Sequence, residues 1–542
     1  MAIKINNIAL NLDEDIEKDI SCLYKKAAKK LRIDQKNLKN LKILKESIDA
    51  RKKNDIKFKY SIEVECSREE HVVNKVHDRD VMLEKESVHD ELVFGNKVME
   101  HRPIIVGMGP AGMFAGLILA QHGYKPLIIE RGECVEDRSK TVDKFWRDGI
   151  LDTESNVQFG EGGAGTFSDG KLTTRIKDKR CDFVLRELVE SGAPSNIVYS
   201  GKPHVGTDIL KEVVKNIRNT IINLGGEIRF LSKLQDIKSR NGRIQSIIVN
   251  EEEIPCETLI LAIGHSSRDT YEMLYRNNIF MEPKAFAIGV RVEHKQSFMD
   301  ENQYGKFANH PRLRASDYRL VYNNKEKERS AYSFCMCPGG VVVAAASEDE
   351  RLVVNGMSYY ARAEANANSA IVVTVNPSDF EGSSPLSGME FQRHYEGLCY
   401  KLGGGQYKAP VQKINDFLQD KVTTSLGDVE PSYKPGYEFK DMRETLPPYV
   451  SDMLKEGFMD FDRKIRGFAT GDGIMTGIET RTSAPVKIAR NENLESISLK
   501  GLYPSGEGAG FAGGIISAAV DGVKVAEKIM MEFKTKEWFF WK

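Results

Sequence analysis

The most constraining feature of this chain is a glycine turn set between a strand and a helix. Pro103-Ile-Ile-Val106 reads as a short buried strand, Gly107-Met-Gly109-Pro110-Ala111-Gly112 follows at once, and a helical stretch runs on to about His122. A second strand, Pro126-Leu-Ile-Ile-Glu130, ends in an acid 18 residues past Gly112. Each part has a physical job in gripping a dinucleotide. Gly107 allows the tight turn, Gly109 lets the backbone approach a pyrophosphate, and Gly112 lets the helix pack on the strand. Pro110 suits the first helical turn, where its missing N–H costs nothing. The free N–H groups and the positive helix end hold phosphate. Glu130 would accept hydrogen bonds from ribose hydroxyls, and its charge disfavours a 2′-phosphate. Two other clusters, Gly160/Gly162/Gly165 and Gly508/Gly510/Gly513, share the glycine spacing but not the strand, helix and acid around it.

Composition narrows the class. Lys plus Arg number 78 against 79 Asp plus Glu, a formal net charge of -1. A chain so balanced has no global attraction to nucleic acid or to an anionic membrane. Hydrophobic residues at 41% and charged residues at 29% fit a globular protein, and no apolar run approaches the ~18 residues of a membrane span. The opening MAIKINNIALNLDEDIEKD carries acids where a signal peptide needs its apolar stretch, so the chain reads as cytoplasmic. Eight cysteines spread over 542 residues make no disulfide framework.

The texture changes along the chain. Residues 1–98 form a first module: IKINNIALNL has a strand-like pattern, Ile16, Ile20, Leu23, Ala27 and Leu31 mark one helix face, and Ile56, Phe58, Tyr60, Ile62 and Val64 alternate as a half-buried strand. Between Tyr24 and Lys59 stand 14 Lys or Arg against 4 Asp or Glu. That excess is either a solvated face or a patch for RNA, a nucleotide or an acidic partner. No stacking motif is interleaved with it, which weakens the nucleic-acid version. Residues 99–281 carry the dinucleotide unit, including an Asn241-Gly242 hairpin signal between strand-like runs and a buried strand at 258–263 ending in Gly264. Residues 282–495 look like a separate sheet, with strands in FAIGVRVEH, SAYSFCMCPGGVVVAAA and SAIVVTVN. Residues 496–542 return to the first texture and close on the aromatic EWFFWK.

The fingerprint alone does not separate NAD from FAD. The return segment, GLYPSGEGAGFAGGIISAAVDGVKVAEKI, places Glu507 after a strand and starts a helix of small residues near Gly514. N–H donors at such a helix start stabilise the charge that a reduced isoalloxazine gains near N1 and O2. With VGMGPAG and Glu130-Arg131-Gly132, then ESNVQFGEGGAGTFSDGKLTTR, LILAIGHSSRDT, ETRTSAPVKI and LYPSGEGAGFAGGIISAAVDG, residues 100–530 resemble the bacterial family of uncharacterised FAD-dependent dehydrogenases, among the glutathione-reductase-type flavoproteins. The resemblance implies an α/β fold: a Rossmann-like FAD-binding domain with an inserted mixed-sheet α+β domain and a small N-terminal α+β module. It implies FAD bound non-covalently, with Gly107, Gly109, Pro110, Ala111, Gly112, Glu130 and Arg131 toward the ADP half. Gly506 and Glu507 would meet the ribityl-pyrophosphate region, and Gly514 and Ile515 the flavin ring. It supplies no substrate.

Candidates for chemistry are fewer. The loop Gly160-Glu-Gly-Gly163-Ala-Gly165-Thr-Phe-Ser-Asp-Gly170-Lys171 could bring Gly163 and Gly165 against the flavin face and Lys171 near developing negative charge, or could be turn chemistry. Cys335-Met-Cys337 in a strand would place two sulfurs on one face. A disulfide across one residue is strained, and no second pair completes a zinc set, so no metal is expected. Cys337 is then either a thiol over the flavin or a buried, inert cysteine. His265, at the end of a buried strand, is a proton donor, a flavin contact or a satisfied loop residue. Arg481 binds an anionic substrate or pairs with an internal carboxylate. A second complete nucleotide fingerprint is missing, so either the small-molecule substrate delivers the hydride itself or NAD(P)H binds transiently elsewhere. The expectation is an FAD-dependent oxidoreductase. The alternatives are a flavin-binding RNA-associated protein using residues 24–59 and a flavin-binding scaffold without turnover.

Overall fold

The computed structural model describes residues 2–84 and 92–535; the EWFFWK terminus lies outside them. It has a mixed α/β architecture in two compact units. The larger comprises Val93–Ala193, Val205–Met299 and Asp317–Lys542; the smaller comprises Met1–Leu92, Pro194–His204 and Asp300–Ser316.

In the larger unit, five strands form a wholly parallel sheet: β1 (Ile104–Val106), β2 (Leu127–Ile129), β3 (Glu227–Arg229), β4 (Leu259–Leu261) and β5 (Leu502–Pro504). Their order is β3-β2-β1-β4-β5. The apolar triplets Ile-Ile-Val, Leu-Ile-Ile and Leu-Ile-Leu are buried at every position, as parallel strands covered on both faces require. Helix α1 (Pro110–Gln121) leaves β1 and helix α2 (Ile515–Glu532) follows β5. Residues 111–120 of α1 are buried without a break, because α1 packs on the sheet and against α2 at once. The strand order reverses at β1, and such a reversal opens a crevice at the carboxyl ends of the strands.

Between β3 and β4 runs a three-stranded antiparallel meander, Leu234–Arg240, Arg243–Val249 and Glu252–Pro255. Its first turn is the expected Asn241-Gly242, with φ of 54° and 71°. Between β4 and β5 the chain builds a seven-stranded mixed sheet. Its central strand, Phe286–Lys295, pairs antiparallel with Asn366–Val375 on one side and Ile474–Glu479 on the other. The expected strand run SAYSFCMCPGGVVVAAA is split by its Pro-Gly-Gly: Arg329–Cys337 joins the large sheet and Val341–Ala344 pairs only with Val354–Met357.

The smaller unit has the order strand (Ala2–Asn11), helix (Ser21–Leu31), strands (Lys39–Asp49 and Lys57–Glu65), helix (Glu69–Val76), strand (Val81–Glu84). The second and third strands flank the sheet from one side and the fourth pairs with the first, a split β-α-β arrangement. The expected alternation at 56–64 is met, with Phe58, Tyr60, Ile62 and Val64 in the core. The helix starts only at Ser21, since residues 12–20 form turns. Two distant segments complete this unit. Tyr304 enters its core, the Arg312 guanidinium lies 4.3 Å above the Phe58 ring, and Gly201 donates to the Glu46 carbonyl at 2.6 Å.

Candidate functional site

A cavity of about 380 Å³ opens where β1, β2 and β4 end, lined there by Val106, Ile129 and Ala262. It lies wholly within the larger unit. Two helices begin on it. Gly109 is the N-cap of α1 and Gly514 that of α2, and neither helix has a side-chain cap. The first-turn N–H groups of both helices are therefore left for another acceptor.

The glycines divide by what a side chain would meet. Gly107 has φ +95°, and a Cβ there would collide with the Ala262 carbonyl. A Cβ on Gly112 would collide with the Gly107 carbonyl, so Gly112 serves helix-to-strand packing and does not line the cavity. Gly109 differs: a Cβ would find only the Gly163 Cα, at 3.8 Å, and Gly513 would meet nothing within 4 Å. These backbones are bare on the cavity side, a cradle that side chains would fill. The loop at 160–170 runs between the two helix starts. Gly163 faces Gly109, and a Cβ on Gly165 would lie 3.4 Å from Ile515 and 3.8 Å from Pro110. Gly506 stays off the cavity; its N–H donates to Asp521 at 2.7 Å and it abuts Ala111.

Glu130 ends β2, buried at the cavity wall. Its carboxylate accepts from the backbone N–H groups of Met108 (2.8 Å), Gly132 (3.0 Å) and Gly160 (2.9 Å). Two carboxylate oxygens offer about four acceptor positions, so one remains for an occupant. The same acid thus pins the glycine turn to the Gly160 loop. Arg131 beside it is fully engaged, bidentate to Asp269 (2.9 and 3.0 Å), bonded to Glu154 (2.8 Å) and stacked on Phe159.

Glu507 and His265 face each other, with 3.7 Å between Nδ1 and a carboxylate oxygen. Burial pushes the Glu507 carboxyl up to about 7, with Lys284 opposing. Burial also pushes His265 down to about 3, helped by the Arg481 and Arg268 cations. His265 is therefore a neutral ring at physiological pH, which suits a contact rather than an imidazolium proton donor. Arg481 resolves toward the internal pairing: it donates to Glu396 (3.1 and 3.2 Å) and Ser347 (2.5 Å) while touching the cavity. Glu396 is fully buried and also held by Arg268 at 2.7 and 2.8 Å, and Arg268 pairs with Glu348 as well.

Lys171 lines the cavity 4.0 Å from Asp169, whose carboxylate is already held by Arg362 at 2.5 and 2.9 Å. Its charge is thus largely uncompensated. Cys337 does not reach the cavity: it is fully buried, and Cys335 is the thiol that lines the wall. The strand bulges between Phe334 and Cys337, which breaks the alternation that would put both sulfurs on one face. Glu479 and Phe334 from the mixed sheet and Asn355 from the Val354–Met357 strand also line the cavity; no local motif marks them. Among the described residues no group of three or more His, Cys, Asp or Glu could hold a metal, and no helix is long and apolar enough to cross a membrane. In the basic segment 24–59, Phe58 is buried in the core of the smaller unit, so that ring is not offered for stacking.

Residues 285–482 match the family described as FAD-dependent protein, C-terminal domain-like, and residues 2–65 match a domain family of unknown function. Among solved structures, the chain is similar to glycine oxidase from Geobacillus kaustophilus (10% identity, 80% of this chain and 95% of that one, TM-score 0.35). It is also similar to CtdE in complex with FAD (13%, 78% and 82%, TM-score 0.30). Scores this low do not bear on the chemistry. A protein of Clostridium beijerinckii (strain ATCC 51743 / NCIMB 8052), described as uncharacterized, is 61% identical over 533 residues, covering 98% of this chain and 99% of its own. With that identity along almost the whole of both chains, this protein belongs to the same family as the C. beijerinckii protein.

Proposed function

We propose that the cavity binds FAD and that this protein is an FAD-dependent oxidoreductase acting on a small molecule. The observation that carries this reading is the pair of glycine-started helices without side-chain caps, both opening on one cavity, with a third glycine run between them. The match of residues 285–482 to a domain of FAD-dependent proteins supports it. The first turn of α1 would hold pyrophosphate, with Gly109 letting the backbone close on it. The free acceptor position of Glu130 would take a ribose hydroxyl, and Glu507 a hydroxyl of the ribityl chain. The first turn of α2, from Gly514 and Ile515, would face the ring, with Lys171 adding positive charge. Bound there, FAD supplies hydride transfer through N5 to or from the substrate. The protein's share is orientation, exclusion of water and charge. The electron donor is either the substrate itself or NAD(P)H bound transiently, and anaerobic flavin bleaching by NADH or NADPH tells these apart. No specific observation favours an RNA-associated or purely structural role.

The test is Gly109→Ala. Its Cβ meets nothing closer than 3.8 Å within the protein, and φ at Gly109 is -75°, so the fold tolerates alanine. Thermal stability without added FAD should stay within about 0.5 kcal/mol of the parent, while FAD affinity, read by fluorescence quenching, falls at least roughly tenfold, about 1.4 kcal/mol. Undiminished affinity would remove the pyrophosphate assignment. Absence of any FAD binding by the parent chain would remove the function.

A further inference from the structure

Cys335 and Cys337 stand on a break in their strand. Phe334 pairs with Ala370 and Cys337 with Asn368, so one extra residue is inserted between them. Cys335 takes φ +45°, a left-handed conformation that non-glycine residues seldom hold and that clusters at functional sites. The kink sends Cys335 to the cavity wall and leaves Cys337 directly behind it. The Cys337 thiol donates to the Cys335 carbonyl at 3.3 Å. Arg291, fully buried and paired with Glu479 at 3.0 Å, donates to the same carbonyl at 2.9 Å.

The charges around the pair are unequal. Lys171 and Arg291 face Cys335 as cations, while Asp169, Glu479 and Glu507 oppose them. Asp169 and Glu479 are already engaged by Arg362 and Arg291, and burial favours the neutral form of Glu507. The neighbouring Cys337 thiol comes first among the influences that hold the Cys335 thiol below its ordinary value, ahead of the Lys171 and Arg291 cations. Cys337 is driven the other way, by the Cys335 sulfur beside it and by burial. A thiolate on the wall with a protonated thiol at its back is the arrangement that thiol–disulfide chemistry uses.

We propose that Cys335 and Cys337 are a redox dithiol of this cavity that exchanges an electron pair with the bound flavin; the inference rests on the FAD reading above. On oxidation, the Cys335 thiolate and the Cys337 thiol form one Sγ–Sγ bond and release two electrons and one proton, and FAD takes up all three to become the reduced anion. In reverse, the reduced anion returns the pair, the Sγ–Sγ bond breaks, and Cys337 regains its proton. A bond closed across a single residue is strained, and strained disulfides are the readily reduced ones. Strain therefore fits a bond that is made and broken rather than one that staples the fold.

The test uses the full chain with Cys335→Ser and Cys337→Ser beside it. Diamide treatment without flavin should lower the intact mass of the parent by two hydrogens and yield one peptide linking Cys335 to Cys337. Neither variant should form that link. Iodoacetamide should label Cys335 at pH 6 at least about tenfold faster in the parent than in Cys337→Ala, which, unlike serine, leaves no donor beside it. In the FAD-loaded, diamide-oxidised parent, anaerobic dithionite titration should consume two electrons beyond those that bleach the flavin, and none beyond in either variant. No linked peptide, or equal electron uptake in parent and variants that all bind FAD, overturns the dithiol and leaves the FAD reading standing. A parent that binds no FAD overturns both.

Discussion

Glu130 and Glu507 are both acids on the wall of one cavity, yet their surroundings are opposite. The carboxylate of Glu130 is closed in by three backbone N–H groups, so its charge is matched by fixed dipoles. Among the described residues Glu507 has no hydrogen-bond donor on its carboxylate; a neutral histidine stands 3.7 Å away, and burial pushes its proton affinity up. The difference separates building from responding. Glu130 fixes the shape of the turn before anything binds, whereas Glu507 keeps its hydrogen-bonding capacity for an occupant.

Glu396 extends the comparison to a carboxylate with no cavity role at all. Two buried arginines, Arg268 and Arg481, depend on it. Glu396→Ala should cost about 3–5 kcal/mol, since it leaves buried cations without their partner; urea unfolding checks this, and a loss below about 1 kcal/mol would mean that water reaches the cluster. Glu130→Ala should cost about 3 kcal/mol through three orphaned N–H groups, and it should also release FAD. Stability lost without FAD release would strip Glu130 of its ribose contact.

Glu507→Gln should show the smallest effect, with the opposite sign. The carboxyl has a higher pKa in the fold than its ordinary 4.5, rising to about 7. The folded state therefore holds the proton more tightly, and that stabilisation, full below about pH 4.5, is lost as pH rises through about 7. The amide cannot ionise. At pH 4 parent and variant should melt nearly together, and at pH 8 the variant should be more stable by up to about 3 kcal/mol. A parent that gains stability between pH 5 and 8 relative to the variant would mean that Glu507 is paired after all.

What the sequence discloses is what is local. The glycine turn, its acid and the Asn241-Gly242 hairpin are short-range patterns, each with one steric solution. The triplets of the parallel sheet are legible because they are apolar at every position. Cys335 was not legible as the cavity thiol, because strand alternation predicts equal exposure for Cys335 and Cys337 and the bulge arises from pairing with residues some 30 positions away. Glu479 and Asn355 were hidden for the same reason: strands brought from elsewhere in the chain place them. The second duty of Glu130, bonding Gly160, likewise depends on a loop whose path no local signal gives.

The smaller unit draws on three separate stretches, the last ending at Ser316. During synthesis its four strands are made before Tyr304 and Arg312. A domain generally folds as a whole once its chain is available, so this unit, although its strands are made before those of the larger unit, must wait for residues 300–316 before its core can close. Excising its leading segment would likewise strand two orphan pieces in what is left behind, and any graft of this module onto another scaffold has to carry all three.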